Sequence, residues 1–324
     1  MAMAKPLLRQ LLGDRVVDSV RRTLERPAKE VSFALHRHLF ANPRAAREFM
    51  AAPPALDRLQ QRIVDELCAR GIALVPIAEL LGPAKAELMT GLDRAIGEFA
   101  ASPRTEAAAR RYQEAGQGAW KEYIVQMFPD HPASLPWAHP LLQAALEHRL
   151  LDVIGSYLGM WPRLISANAW YTVPVADPAR SRVASQRWHR DPEDRRLLKA
   201  FLYMSDVDES AGPLEYIPNT RTDGPHNDLV PLVGGHTPST RLNYPPEEAV
   251  DRELLRSPKV VCTCPAGTLV LCDTSGLHRG GFATVRPRLH GTWTYVTPAS
   301  QYPRLFTVEG APPLDRPLRG ALVD

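Results

Sequence analysis

SQRWHRDPEDRRLLKAFLYMSDVDESAGPLEYIPNT, residues 185–220, joins an H-x-D triplet, an apolar run, an acidic turn and a Gly-Pro corner in one stretch. The triplet His189-Arg190-Asp191 closes SQRWHRD, a segment read as a strand. In extended chain, residues i and i+2 point to the same face, so the His189 and Asp191 side chains can meet one metal ion. Next comes LLKAFLYMSDV, rich in β-forming residues, then Asp206-Val207-Asp208 and Gly212-Pro213-Leu214, which punctuate the chain as turns.

The same texture extends on both sides. RLISANAWYTV lies upstream, and GPLEYI, KVVCTC, GTLVLCDTS and RLHGTWTYVT follow, each short, apolar and bounded by Pro, Gly or Asp. A succession of this kind predicts a β-sandwich or barrel. Proline, which lacks the ladder N–H, marks the ends of these runs at Pro174, Pro192, Pro213, Pro265, Pro287 and Pro298. The segment 220–258 shows little periodicity and many turn-formers, and reads as a long excursion between strands and a candidate lid. Before about residue 160 the spacing is helical: Lys5 to Glu25, Ala28 to His38, Ala55 to Arg70, Pro83 to Ala100 and, more weakly, KEYIVQMFP from Lys121 to Pro129. The expected organisation is a helical extension over 1–56, then a domain over 57–324 with a helical part at 57–160 and a β core at 163–300.

Composition bounds the function. The 324 residues carry 39 Lys plus Arg against 36 Asp plus Glu, a net charge of +3, which argues against a surface built mainly for nucleic acid. No apolar run approaches the ~20 residues of a membrane span, and the N-terminus lacks the apolar core and cleavage site of a secretory signal. Cys68, Cys262, Cys264 and Cys272 do not form a disulfide pattern, so a reducing cytoplasm is expected. Cys262 and Cys264 read as small buried strand residues. The Lys5 to Glu25 helix reads as docked, because Asp14, Asp18 and Glu25 interrupt the basic face a membrane-surface helix needs.

H-x-D alone is a weak pattern, and it recurs at His226-Asn227-Asp228 in a loop-like context. A second imidazole, His278, ends GTLVLCDTSGLH; with His189 and Asp191 it would supply two His and one carboxylate on one side of an ion, the arrangement of a mononuclear non-haem iron site. The order H-x-D, D-V-D, G-P-L-x-x-x-P, distal His and an Arg ten residues beyond it resembles the phytanoyl-CoA dioxygenase family of Fe(II)/2-oxoglutarate oxygenases. The resemblance runs from about Asp57 to Pro298, strongest over 185–219 and 268–297.

That resemblance implies an α+β fold with a double-stranded β-helix (jelly-roll, cupin-like) core and a mostly helical N-terminal region packed on it. It implies Fe(II), 2-oxoglutarate as cosubstrate and dioxygen, with His189, Asp191 and His278 as catalytic metal ligands. Arg288 matches the residue that pairs with the distal carboxylate, with Arg286 as its competitor. Many members place a hydroxyl residue two positions after the distal His, whereas this chain has Gly280; Asn168, Gln186 and Lys199 are therefore further cosubstrate candidates. The intact carboxylate favours hydroxylation, desaturation or rearrangement of a small molecule of secondary metabolism over halogenation. The competing readings are a catalytically vestigial jelly-roll that binds a metabolite or partner, and a zinc hydrolase on a similar barrel.

Overall fold

Alternation along the β-rich runs decides how the layers stack. In the computed structural model, which describes residues 42–115, 121–175, 177, 179–222, 224–225 and 244–322, the strands are β1 (Ile72–Pro76), β2 (Ile124–Gln126), β3 (Ala133–Pro136), β4 (Arg163–Thr172), β5 (Leu197–Tyr203), β6 (Glu215–Tyr216), β7 (Val260–Val261), β8 (Thr268–Cys272), β9 (His278–Arg279), β10 (Arg288–Val296) and β11 (Phe306–Glu309). The helices are α1 (Pro43–Met50), α2 (Arg58–Arg70), α3 (Ile77–Leu81), α4 (Ala86–Ala100), α5 (Pro103–Ala115), α6 (Pro140–Ala145), α7 (His148–Leu158), α8 (Glu247–Arg256) and α9 (Arg316–Leu322). A six-stranded antiparallel sheet has the order β1-β8-β5-β10-β4-β2, a smaller sheet the order β7-β6-β9, and β11 pairs with β3 in parallel.

Successive residues of the large sheet face opposite layers. Leu198, Ala200 and Leu202 of β5, with Leu269 and Leu271 of β8 and Trp293 and Tyr295 of β10, pack against Leu67, Ile96, Leu141, Leu151 and Ile154 of the helices. The alternate residues Phe201, Tyr203, Val270 and Cys272 pack against Leu214 and Tyr216 of the small sheet. The large sheet is thus covered by helices on one side and by the small sheet on the other, the α+β jelly-roll arrangement the sequence implies. Among the described residues the two sheets do not close into one hydrogen-bonded barrel. Trp293 Nε1 and Tyr295 Oη donate to the carbonyls of Leu141 and Ala145 at 2.9 and 2.7 Å, fixing α6 on β10.

Local signals explain the best-formed elements. Helix α2 begins with a capping box, Asp57 with Gln60, and ends at Gly71 in the left-handed region. Phe49 of α1 packs edge-on against Trp161 with centroids 5.0 Å apart, so residues just before 57 already contact the body of the fold. No described helix is long and apolar enough to cross a membrane.

Several expectations need correction. Lys121 to Pro129 is not helical: Ile124–Gln126 pairs with β4, because its apolar residues complete that sheet edge. SQRWHRD is not a regular strand; a single 3-10 turn at Ala184–Gln186 precedes one isolated bridge, His189 to His278. The excursion at 220–258 contains α8, preceded by Pro245-Pro246, with Glu247 and Glu248 in its first turn and Arg256 in its last. The region before residue 160 also supplies β1, which forms an edge of the large sheet by pairing with β8. The predicted helices at Lys5 to Glu25 and Ala28 to His38, and the triplet His226-Asn227-Asp228, lie outside the described residues.

Candidate metal centre

The bridge between His189 and His278 builds the site. Each backbone N–H donates to the other residue's carbonyl at 3.0 Å, and the Asp191 N–H donates to the Thr274 carbonyl at 2.9 Å. The H-x-D segment is thereby laced to the loop that carries His278. Arg190, between the two ligand candidates, turns the other way; its buried guanidinium donates to the Ser275 carbonyl at 2.7 Å and ties the same two segments together from behind.

His189, Asp191 and His278 are all buried, and one ligand atom from each lies within 4.8 Å of the others. His189 Nδ1 faces the Arg187 carbonyl at 2.9 Å and His278 Nδ1 faces the Gly276 carbonyl at 3.0 Å. A carbonyl only accepts, so each Nδ1 carries a proton and each Nε2 is the ring nitrogen turned into the cluster. His189 Nε2 lies 3.6 Å from Asp191 Oδ1 and His278 Nε2 lies 3.3 Å from Asp191 Oδ2. Burial, with His278 beside it, pushes the His189 imidazole down to about 3, so it stays neutral. Two imidazole nitrogens and one carboxylate therefore converge, a ligand set that suits a cation among them. The donor set fits a divalent transition metal held on one side.

Lys199 lies beneath this cluster. Its ammonium sits 2.8 Å from Asp191 Oδ2 and 2.8 Å from Glu193 Oε1, with all three side chains nearly buried. Burial opposes ionisation of Asp191, but Lys199 and then His278 overcome it and hold the carboxyl well below its usual range. Tyr244 stacks on the His189 ring at 5.5 Å, and the Arg187 guanidinium lies 5.3 Å over the Tyr244 ring.

The remaining predicted residues divide. Arg288 is buried, whereas Arg286 is exposed and paired with Asp208 at 3.0 Å. Arg288 has no carboxylate partner among the described residues, and its Nε is a buried donor with nothing to receive it. Asn168 is buried on the same sheet, but its amide exchanges hydrogen bonds with the Phe128 backbone and reaches Gln126. Gln186 accepts from the Val183 N–H and donates to the Gly281 carbonyl. Trp188 packs away from the cluster, under the Arg279 guanidinium at 4.5 Å, and Arg279 bonds Glu215. Cys262 is buried and Cys264 half-buried, both free, within the core between the sheets. Tyr244 escaped the sequence reading because nothing in its loop-like surroundings marks it.

Solved structures share this architecture. EctD from S. alaskensis in its apoform superposes with a TM-score of 0.51 at 20% identity, covering 80% of this chain and 88% of its own. SnoN, described as a non-heme alpha ketoglutarate dependent epimerase from nogalamycin biosynthesis, gives 0.45 at 19% identity over 74% of this chain and 83% of its own. EctD also exists in a form with bound Fe, at a TM-score of 0.49 and 17% identity over 79% of this chain and 84% of its own. The match to EctD fixes the fold as the one these enzymes use. No protein-family model matches the chain. No curated protein sequence matches it either.

Proposed function

We propose that the chain is an Fe(II)- and 2-oxoglutarate-dependent oxygenase of the phytanoyl-CoA dioxygenase type, acting on a C–H bond of a small molecule. The observation that carries this reading is the convergence of two imidazole Nε2 atoms and one carboxylate, each side chain fixed by a backbone bond or an ion pair. EctD, whose fold this chain shares, has been solved with Fe and with 2-oxoglutarate and 5-hydroxyectoine, which supports the choice of cofactors.

His189, Asp191 and His278 would hold the metal, and the unpaired Arg288 would take the distal carboxylate of the cosubstrate. Together, bound Fe(II) and 2-oxoglutarate supply dioxygen activation, with decarboxylation to succinate and a two-electron oxidation of substrate. The protein's share is placement. The Nδ1–H bonds to Arg187 and Gly276 keep both rings turned inward. Lys199 pairs with Asp191 at Oδ2 and keeps the carboxyl ionised. The walls of the jelly roll exclude water from a site where each of these charges acts strongly.

An anaerobic titration tests the reading. Fe(II) followed by 2-oxoglutarate should produce a weak visible absorption band in the wild-type protein and none in His189→Ala or Asp191→Ala. Oxygen should then yield succinate. Binding without a band, or turnover that requires Zn(II) and no oxygen, would mean instead a vestigial binding protein or a hydrolase.

A further inference from the structure

The two neighbouring strands β4 and β10 carry four buried polar atoms without partners among the described residues: Trp170 Nε1, Thr172 Oγ1, Arg288 Nε and His290 Nδ1. Their placement is ordered. Thr172 stands opposite Arg288 in the register and Trp170 opposite His290, so all four side chains leave the same face of the sheet. That face is the inner one: His290 meets Trp170 at 5.6 Å and Tyr203 at 6.5 Å, centroid to centroid. A buried polar group left unmet costs about 1–3 kcal/mol, so a polar ligand or water seated among these atoms is favoured.

The glycines after His278 show where that ligand goes. A Cβ on Gly280 would lie 3.3 Å from Arg288 Nη1. A Cβ on Gly281, at φ +79, would lie 3.2 Å from Tyr123 Cε2, 3.6 Å from the Thr172 methyl carbon Cγ2 and 3.7 Å from Arg288 Nη2. The Thr172 and Arg288 side chains thus border one gap, which Gly280-Gly281 keeps open beside a metal-ligand candidate. A hydroxyl side chain at position 280 would crowd the guanidinium it was meant to assist.

We infer that the distal carboxylate of the cosubstrate is held by Arg288 together with the Thr172 hydroxyl and the His290 imidazole, donors supplied by the large sheet in place of the hydroxyl missing at Gly280. This rests on the oxygenase reading above and names the residues that complete its cosubstrate site. Asn168, Gln186 and Lys199, by contrast, are engaged with protein groups. A carboxylate offers about four lone-pair sites, enough to receive the guanidinium, a hydroxyl and a ring N–H at once. Burial and the charge of Arg288 keep His290 well below the usual histidine range, so the imidazole presents a neutral N–H and adds no net charge.

The test is the same anaerobic absorption titration, run on Fe(II)-loaded Thr172→Val, Thr172→Ser and His290→Phe, with Fe(II) affinity measured separately. Thr172→Val and His290→Phe should each weaken 2-oxoglutarate about tenfold or more. Thr172→Ser, which keeps the hydroxyl, should stay near wild type and shows that the site still folds. Pyruvate, an oxo acid without the distal carboxylate, should bind wild type and the Thr172→Val and His290→Phe variants alike. If those two variants titrate as wild type, or if they weaken pyruvate as much as 2-oxoglutarate, the cradle is wrong while the oxygenase reading stands. If wild type gives no band, that reading itself fails.

Discussion

Lys199 is the residue on which the site's electrostatics turn. It is the near neighbour of two buried carboxylates, and removing a buried partner leaves charge that the interior cannot solvate. Lys199→Met should therefore cost about 3 kcal/mol in denaturant unfolding of metal-free protein. The loss should be smaller with Ni(II) present, because a divalent ion then compensates Asp191. At this scale the meeting of His189 and Asp191 was anticipated from i, i+2 alternation, although an isolated bridge rather than a regular strand brings them together, and the preference for Arg288 over Arg286 came from its place before a strand and from the family resemblance. Asn168 and Gln186 were not, because amides in extended runs look alike whether they face a ligand or a backbone group. The Asn168 and Gln186 amides reach Phe128 and Gly281, far along the chain. Continuing the alternation from Arg288 leads to His290, and Thr172 stands opposite Arg288 in the register.

Among the elements, the junction between α2 and β1 is the tightest. Gly71, at φ +80, ends the helix, and a Cβ there would fall 2.2 Å from Tyr216 Oη of the small sheet. Gly71→Ala combines left-handed strain with overpacking, and should lower stability by about 2 kcal/mol or more in thermal or denaturant unfolding. Tyr216 Oη is itself buried without a partner, so Tyr216→Phe loses no hydrogen bond and should leave the unfolding midpoint equal or raised. In a Tyr216→Phe background, Gly71→Ala should cost less. The sequence showed the helices α2 and α4 and the long strands β4, β5, β8 and β10, whose periodicities are sustained. It concealed β1, an unalternating apolar run whose partner β8 lies almost two hundred residues away, and it made β2 look helical. Helix α8 was hidden by the proline- and glycine-rich chain around it.

The whole molecule is organised about one sheet that both layers need. Its outer face shares a single apolar cluster with α2, α4, α6 and α7, and its inner face carries the metal-site support Lys199 and the cosubstrate candidates. Helical and tertiary signals should therefore disappear together on heating, and far-UV circular dichroism and tryptophan fluorescence should report one midpoint. Stripping the protein with a chelator should leave that single transition in place and lower its midpoint by only about 5 °C, since the bound ion adds its binding energy to a fold already complete. The reason lies in Lys199, a permanent internal counter-ion for the carboxylate that the metal would otherwise have to neutralise. A chain furnished in this way would fold before any metal reached it, and would release one ion and take another without being unmade.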